Sequence, residues 1–270
     1  MIAWKFKAWR TAGAAVALTA LAACGEGGEG GEPGQAGEAG EGDGAATAPA
    51  GEAGEAAIGE AGGEHGEAGV ASAYAGLTGD QLTVLRLNHL KGFVMAAEAI
   101  AANSPDEAAV LVQQGLLEVY DPAADRFGSL NADIVRAAAD LSATDRVQRL
   151  NAAEAEIDRA ASALDGEPAV TAARMVDIAS GLYQHVVQAD FVDPIEYQHS
   201  MGAALAAQAA LRAGESEMRR QNAGAYNEAR REIDRFVALW PQPTAPETAT
   251  SYRQVLAQSS RVRLALSPFL

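Results

Sequence analysis

Apolar residues recur with a helical period along the chain from Leu77 onward. Leu82, Leu85, His89 and Phe93 fall at i, i+3, i+7 and i+11, which places them on one face of a helix. Alternation of apolar and polar positions is almost absent, and β-branched residues are sparse. The pattern therefore predicts an all-α domain, most simply an antiparallel helical bundle of about seven or eight helices. A solenoid of helical repeats is the alternative, although no fixed period of self-similarity supports it.

Start and stop signals divide this pattern into separate helices. Pro105 and Pro194 suit the first position of a helix, with Ser104 and Asp193 before them as N-caps, and Gly214 suits a helix end. Together, the period and these signals predict helices at about 79–102, 105–120, 131–141, 144–164, 167–189, 194–213, 215–239 and 246–266. Basic and acidic residues alternate along 215–239, which predicts a solvated, ion-paired face.

The first 24 residues have a different character. A basic start (Lys5, Lys7, Arg10) precedes a short apolar run that ends in small residues, as in a secretory signal peptide. Leu21-Ala22-Ala23-Cys24 closely resembles the lipobox of bacterial lipoproteins. The resemblance implies removal of residues 1–23, lipidation of Cys24 with fatty acids such as palmitate, and a periplasmic location. Gly25, where aspartate would favour the inner membrane, implies the outer membrane. The alternative for Cys24, the chain's one cysteine, is a free or intermolecularly paired thiol.

Residues 24–73 are predicted to form a disordered tether. After Cys24 the segment is almost entirely Gly, Glu and Ala, with eleven acidic residues and no Lys or Arg. So little apolar surface cannot compensate for the entropy lost on folding. A spacer that holds the domain away from a membrane is the simpler interpretation. A loose cation-collecting segment that includes His65 is the other.

Charge and motifs narrow the function of residues 74–270. This part has 25 acidic and 17 basic residues, a net charge of −8, which argues against nucleic-acid binding and leaves membrane contact to the anchor at Cys24. No phosphate-binding loop, nucleophile elbow or His-Glu-x-x-His sequence is present. We therefore expect a protein that is not an enzyme.

Histidines supply the best candidate chemistry. The predicted domain has three, His89, His185 and His199, and Glu196 precedes His199 by three residues on one helix face. Glu-x-x-His is half of the motif that holds iron or manganese in helical bundles. The sequence therefore predicts a site for iron or another divalent metal, formed by ligands at His89, Glu118, His185, Glu196 and His199, with Asp190 and Asp193 as further oxygen donors. Core histidines and a surface Glu–His contact are the alternative.

Two segments resemble known helical envelope proteins. The run from Val187 to Gln198 (VQADFVDPIEYQ) resembles a segment of imelysin-like iron-transport proteins and of periplasmic domains fused to iron permeases. Asn88–Gly92 (NHLKG) with Leu117–Tyr120 (LEVY) resembles a group of uncharacterised lipoproteins whose second helix carries another histidine, where this chain has Gln113 and Gln114. The resemblance implies an accessory role in metal uptake beside an envelope partner such as a transporter. The alternative is a tethered protein-interaction module without a metal ligand.

Overall fold

Helices make up most of the chain in the computed structural model, which describes residues 67–188 and 191–270. In order along this part of the chain, the α-helices are α1 (Glu67–Tyr74), α2 (Gly79–Ile100), α3 (Pro105–Gly115), α4 (Ala132–Ala138), α5 (Arg146–Ser162), α6 (Pro168–Tyr183), α7 (Pro194–Ala213), α8 (Glu215–Val237) and α9 (Tyr252–Leu266). A π-helix (Leu116–Tyr120) continues α3, and 3₁₀ turns cover Asp121–Arg126 and Ser267–Phe269. The predicted all-α bundle is confirmed. None of these helices has the length and apolar character needed to cross a membrane.

The start of α1 lies inside the segment that the sequence predicts to be tether. Ala73 is fully buried, and Val70 and Tyr74 pack against the core, because α1 lies along α6. At the end of α1, Arg174 donates to the carbonyl oxygens of Ser72 and Ala75. Residues 67–73 therefore belong to the folded part of the chain, whereas Cys24 and His65 lie outside the described residues.

A short β-hairpin replaces the predicted end of the fifth helix. That helix was expected to reach about residue 189, but α6 ends at Tyr183, and β1 (Val187–Gln188) pairs antiparallel with β2 (Phe191–Val192). The hairpin is closed by a bond from the Asp193 backbone NH to the Val186 carbonyl. Asp193 then caps α7, its Oδ1 accepting from Ile195 N at 2.9 Å and Glu196 N at 3.2 Å. The cap fixes where α7 begins, as the sequence predicts.

The last helix and the interior of α8 also differ from the prediction. The last helix starts at Tyr252, six residues later than expected, because Ser251 and Gln254 form a capping box. In α8, Asn222 has a non-helical backbone (φ −158°, ψ 93°), and its side chain accepts from Ala225 N to begin the helix again. The predicted ion-paired face of this helix is confirmed by pairs such as Glu215–Arg219, Glu228–Arg231 and Glu232–Arg235.

Small residues allow three central helices to pack closely. The interfaces of α7 with α6 and with α2 are the most extensive in the described part of the chain. Buried alanines line α7, at positions 203, 204, 206, 207 and 210. Gly92 of α2 faces Gly202 of α7, and a Cβ added to Gly202 would overlap the carbonyl oxygen of Gly92. The two backbones are therefore in direct contact at this crossing.

Candidate functional site

The close crossing of α2 and α7 positions two of the predicted histidines. His89 stands three residues before Gly92, and His199 stands three residues before Gly202, so each lies one turn from the contact point. The Phe93 ring lies between them, with its centroid 5.7 Å from His89 and 4.7 Å from His199. Both imidazoles are buried.

His89 is held by α1. The Tyr74 hydroxyl lies 2.8 Å from His89 Nδ1, and the two rings are 6.0 Å apart. Burial, and then the nearby His199, lower the pKa of His89 to about 3. Burial also raises the pKa of the Tyr74 hydroxyl, which stays protonated. His89 is therefore a neutral imidazole near pH 7.

His199 is held by α3. Its Nε2 lies 3.1 Å from Oε1 of Gln114, two residues before the π-helix. Burial lowers the pKa of His199 to about 4, and the negative charge of Asp193 partly opposes that change. This histidine is also neutral near pH 7.

The π-helix carries Glu118 to the same end of the molecule. π-Helical turns occur frequently at functional sites. This one follows Gly115, where an added Cβ would lie 2.7 Å from Phe93, so the chain passes directly over the ring that separates the two histidines. Desolvation, and then the charge of Glu196, raise the pKa of Glu118 to about 7. The charge of Glu196 therefore disfavours the ionised form of Glu118.

Glu196 has an unusual environment. Its Oε2 atom is buried and has no hydrogen-bond partner among residues 67–188 and 191–270. Desolvation, and then the charge of Asp193, raise its pKa above the usual range. A buried carboxylate oxygen without a partner is costly, so each such atom calls for an explanation.

The remaining predicted ligands have other surroundings. His185 lies in the turn between α6 and β1, where its backbone carbonyl accepts from Gln188. The hydrogen bonds, ring contacts and charge effects described above involve the other four predicted ligands, which are His89, Glu118, Glu196 and His199. Asp193 is engaged as the cap of α7, and Asp190 lies outside the described residues.

A preformed metal centre is absent from the described residues: no three His, Cys, Asp or Glu side chains in 67–188 and 191–270 are grouped to hold an ion. The structure places His89 and His199 on either side of Phe93, and the charge of Glu196 acts on Glu118. We call these four residues the acid–histidine cluster. It contains one Glu-x-x-His pair, half of the bundle motif.

Two partners of the cluster were missed at the sequence level. Gln114 contacts His199. The one feature of the sequence that pointed to Gln114 is its position, where the resembling lipoproteins carry a histidine. Tyr74 holds His89, but it stands at the boundary of a segment predicted to be tether. Neither residue has a pattern of its own that would identify it. No family model, curated protein or solved structure matches the chain.

Proposed function

We propose that this chain is an exported lipoprotein of the bacterial envelope, anchored through Cys24, with the outer membrane as its favoured location. The support is Leu21-Ala22-Ala23-Cys24 after a basic and apolar leader. Two or more acyl chains anchor a protein stably, since each buried methylene contributes about 0.8 kcal/mol. A Cys24→Ser variant should lose its acyl label and keep its leader. A variant that still reached the membrane at mature size would contradict the anchor.

Within that setting, the helical domain acts as a non-enzymatic binding or accessory protein for iron or another divalent metal. The observation that carries this proposal is an oxygen of Glu196, three residues before His199 in α7, that is buried without a partner among the described residues. The charge of Glu196 also raises the pKa of Glu118, which belongs to a separate element. A divalent cation would satisfy that oxygen and remove the repulsion between the two carboxylates.

Metal titration of the mature chain (residues 24–270 with Cys24→Ser) tests this function. Iron(II), manganese(II), zinc(II) and copper(II) would each be titrated, and the bound metal would be measured after dialysis. Glu196→Gln should weaken binding roughly 10- to 100-fold or more, since even residues that merely support a ligand have effects of that size. Glu107→Gln, an exposed acid in the first turn of α3, is the matched control because it removes the same charge elsewhere.

The control also accounts for the acidic residues before the domain, which remain in every variant. Equal affinity of Glu196→Gln and Glu107→Gln would mean that the bound metal is held elsewhere, and the acid–histidine cluster would lose its assignment.

A second candidate is a tethered interaction module that docks an envelope protein such as a transporter. Three large apolar side chains, Val187, Phe191 and Ile195, are about half exposed at the hairpin and the start of α7. In the hairpin register Val187 pairs with Val192 and Phe191 pairs with Gln188, and exposed aromatic side chains such as Phe191 are enriched at protein contact sites. Phe191→Ser should reduce crosslinking to an envelope partner, whereas Leu264→Ser, which removes an exposed leucine of α9, should not. Equal crosslinking in both variants would count against this surface.

A further inference from the structure

The two buried histidines differ in which ring nitrogen has a free lone pair. This inference rests on the proposed metal-binding function and concerns the atoms that would carry it. A neutral imidazole has one N–H donor and one acceptor nitrogen, and the hydrogen bond to one nitrogen sets the role of the other. Each histidine here has a partner on one nitrogen, so the other can be assigned.

At His89 the partner is a donor. The Tyr74 hydroxyl remains protonated, and His89 Nδ1, at 2.8 Å, is its hydrogen-bond partner among the described residues. A buried hydroxyl hydrogen is almost always donated, so Tyr74 donates and Nδ1 accepts. The ring proton of His89 then lies on Nε2. Both nitrogens are therefore occupied, Nδ1 by a hydrogen bond and Nε2 by a proton.

At His199 the partner is an acceptor. Gln114 presents its amide oxygen, Oε1, to His199 Nε2 at 3.1 Å. With the Gln114 amide in this orientation its carbonyl oxygen is the acceptor, and we infer that Nε2 carries the proton. The lone pair of His199 is therefore on Nδ1, on the same residue that follows Glu196 by three positions.

We propose that Gln114 is a positioning residue that fixes the tautomer of His199, so that Nδ1 of His199 is the nitrogen ligand of the cluster and His89 is not a ligand. The ligand set then becomes one imidazole nitrogen with the carboxylates of Glu118 and Glu196. Two hard oxygens and one nitrogen suit Mn²⁺, Fe²⁺ or Zn²⁺, and they do not suit Cu⁺, which prefers sulfur ligands.

The tautomers can be measured directly in the metal-free protein. Long-range ¹H–¹⁵N correlation spectra of the mature chain (residues 24–270, Cys24→Ser) distinguish a protonated from an unprotonated nitrogen in each histidine ring. We expect the Nε2–H form for both His89 and His199. An Nδ1–H form at His199 would overturn the proposal.

Variants separate the role of Gln114 from general packing. Gln114→Leu removes the acceptor, so His199 should lose its single-tautomer signature, while His89 should keep the Nε2–H form. Gln114→Glu keeps an acceptor oxygen and should restore it. Gln113→Leu is the matched control, because the neighbouring Gln113 donates to the Ala139 carbonyl and does not contact His199. An unchanged His199 tautomer in Gln114→Leu would refute the positioning role.

Zinc chloride added to the same sample distinguishes this inference from the proposed function. A zinc-dependent shift at Nδ1 of His199, with His89 unaffected, supports the assigned ligand. A shift at Nε2 of either histidine overturns it. If no histidine responds to zinc while the variants behave as expected, the tautomer assignment stands. In that case the ligand assignment and metal binding by the cluster both fail.

Discussion

Gly202→Ala should destabilise the domain by separating α2 from α7. The added Cβ would lie 2.8 Å from the carbonyl carbon of Gly92 and 3.0 Å from Cβ of Ala96. Carbon atoms without a bond between them prefer separations of about 3.5–4.0 Å, so the helices would have to move apart by roughly 1 Å. The obstacle is the backbone of a facing helix and cannot rotate away.

The magnitude follows from two opposed effects. Overpacking of a core commonly costs about 1–3 kcal/mol, and a backbone obstacle places this case at or above the upper end of that range. Alanine is favoured over glycine inside a helix by about 1 kcal/mol, which offsets part of the loss. We expect the free energy of unfolding to fall by about 2–3 kcal/mol. For a domain of this size that corresponds to a melting temperature lower by roughly 4–12 °C.

Urea and thermal unfolding, followed by circular dichroism, measure this change. Gly224→Ala is the matched control: it lies in α8, where an added Cβ meets its nearest neighbour, Asn222 Oδ1, at an ordinary 3.5 Å. It should leave stability unchanged or raise it by up to about 1 kcal/mol. If Gly202→Ala unfolds at the same midpoint as Gly224→Ala, the close contact that brings His89 and His199 together is not real.

Three further changes test other parts of the structure. The pKa values of His89 and His199 are lower in the folded chain (about 3 and about 4) than in the unfolded chain, which therefore binds more protons at acidic pH. The stability that this contributes should be present above pH 6.5 and decrease as the pH falls from 6.5 towards 4. In denaturant titrations, a chain with both histidines replaced by Gln should show a weaker dependence of the unfolding free energy on pH. The same pH dependence in both chains would contradict the burial of the two histidines as neutral rings. Lys91→Ala removes a buried ammonium that lies 2.8 Å from Asp158 and 3.1 Å from Glu154, and it should lower the free energy of urea unfolding by about 1–3 kcal/mol through lost packing and pairing. Arg231→Ala, at an exposed ion pair, should lower it by about 0–1 kcal/mol. Similar losses in the two variants would argue against the buried pair. Asp193→Ala removes the cap of α7 and should lower stability by about 1 kcal/mol by the same assay, and no loss would mean that the cap contributes little.

Most helix positions were predictable because the signals that define them are local. Pro105 at the start of α3, Asp193 with Pro194 at the start of α7 and Gly214 between α7 and α8 act within one turn of the backbone. The structure differs from the predicted helix ranges where contacts with residues distant in the sequence determine whether a helix forms or ends. Packing on α6 orders α1 after a Gly/Glu/Ala-rich segment, and the reversal between α6 and α7 ends α6 at Tyr183.

Half of the candidate site was also accessible from the sequence. Glu196 and His199 share a helix face by spacing alone, and the sequence places both among the predicted ligands. The inclusion of His185 rests on residue type alone and stays a prediction, since spacing says nothing about which helices are neighbours. Gln114 and Tyr74 contact the histidines across 85 and 15 residues of sequence, and no local pattern identifies either contact.

The sequence by itself determined the helical character of the domain and most of its helix starts, because periodicity and capping depend on residues a few positions apart. Tertiary structure alone decided which chemical groups meet. The close approach at Gly92 and Gly202 sets His89 and His199 beside Phe93, and Glu118 of the π-helix after Gly115 has its pKa raised by the charge of Glu196. These contacts depend on how whole helices cross, and that depends on the volume of every side chain at their interfaces.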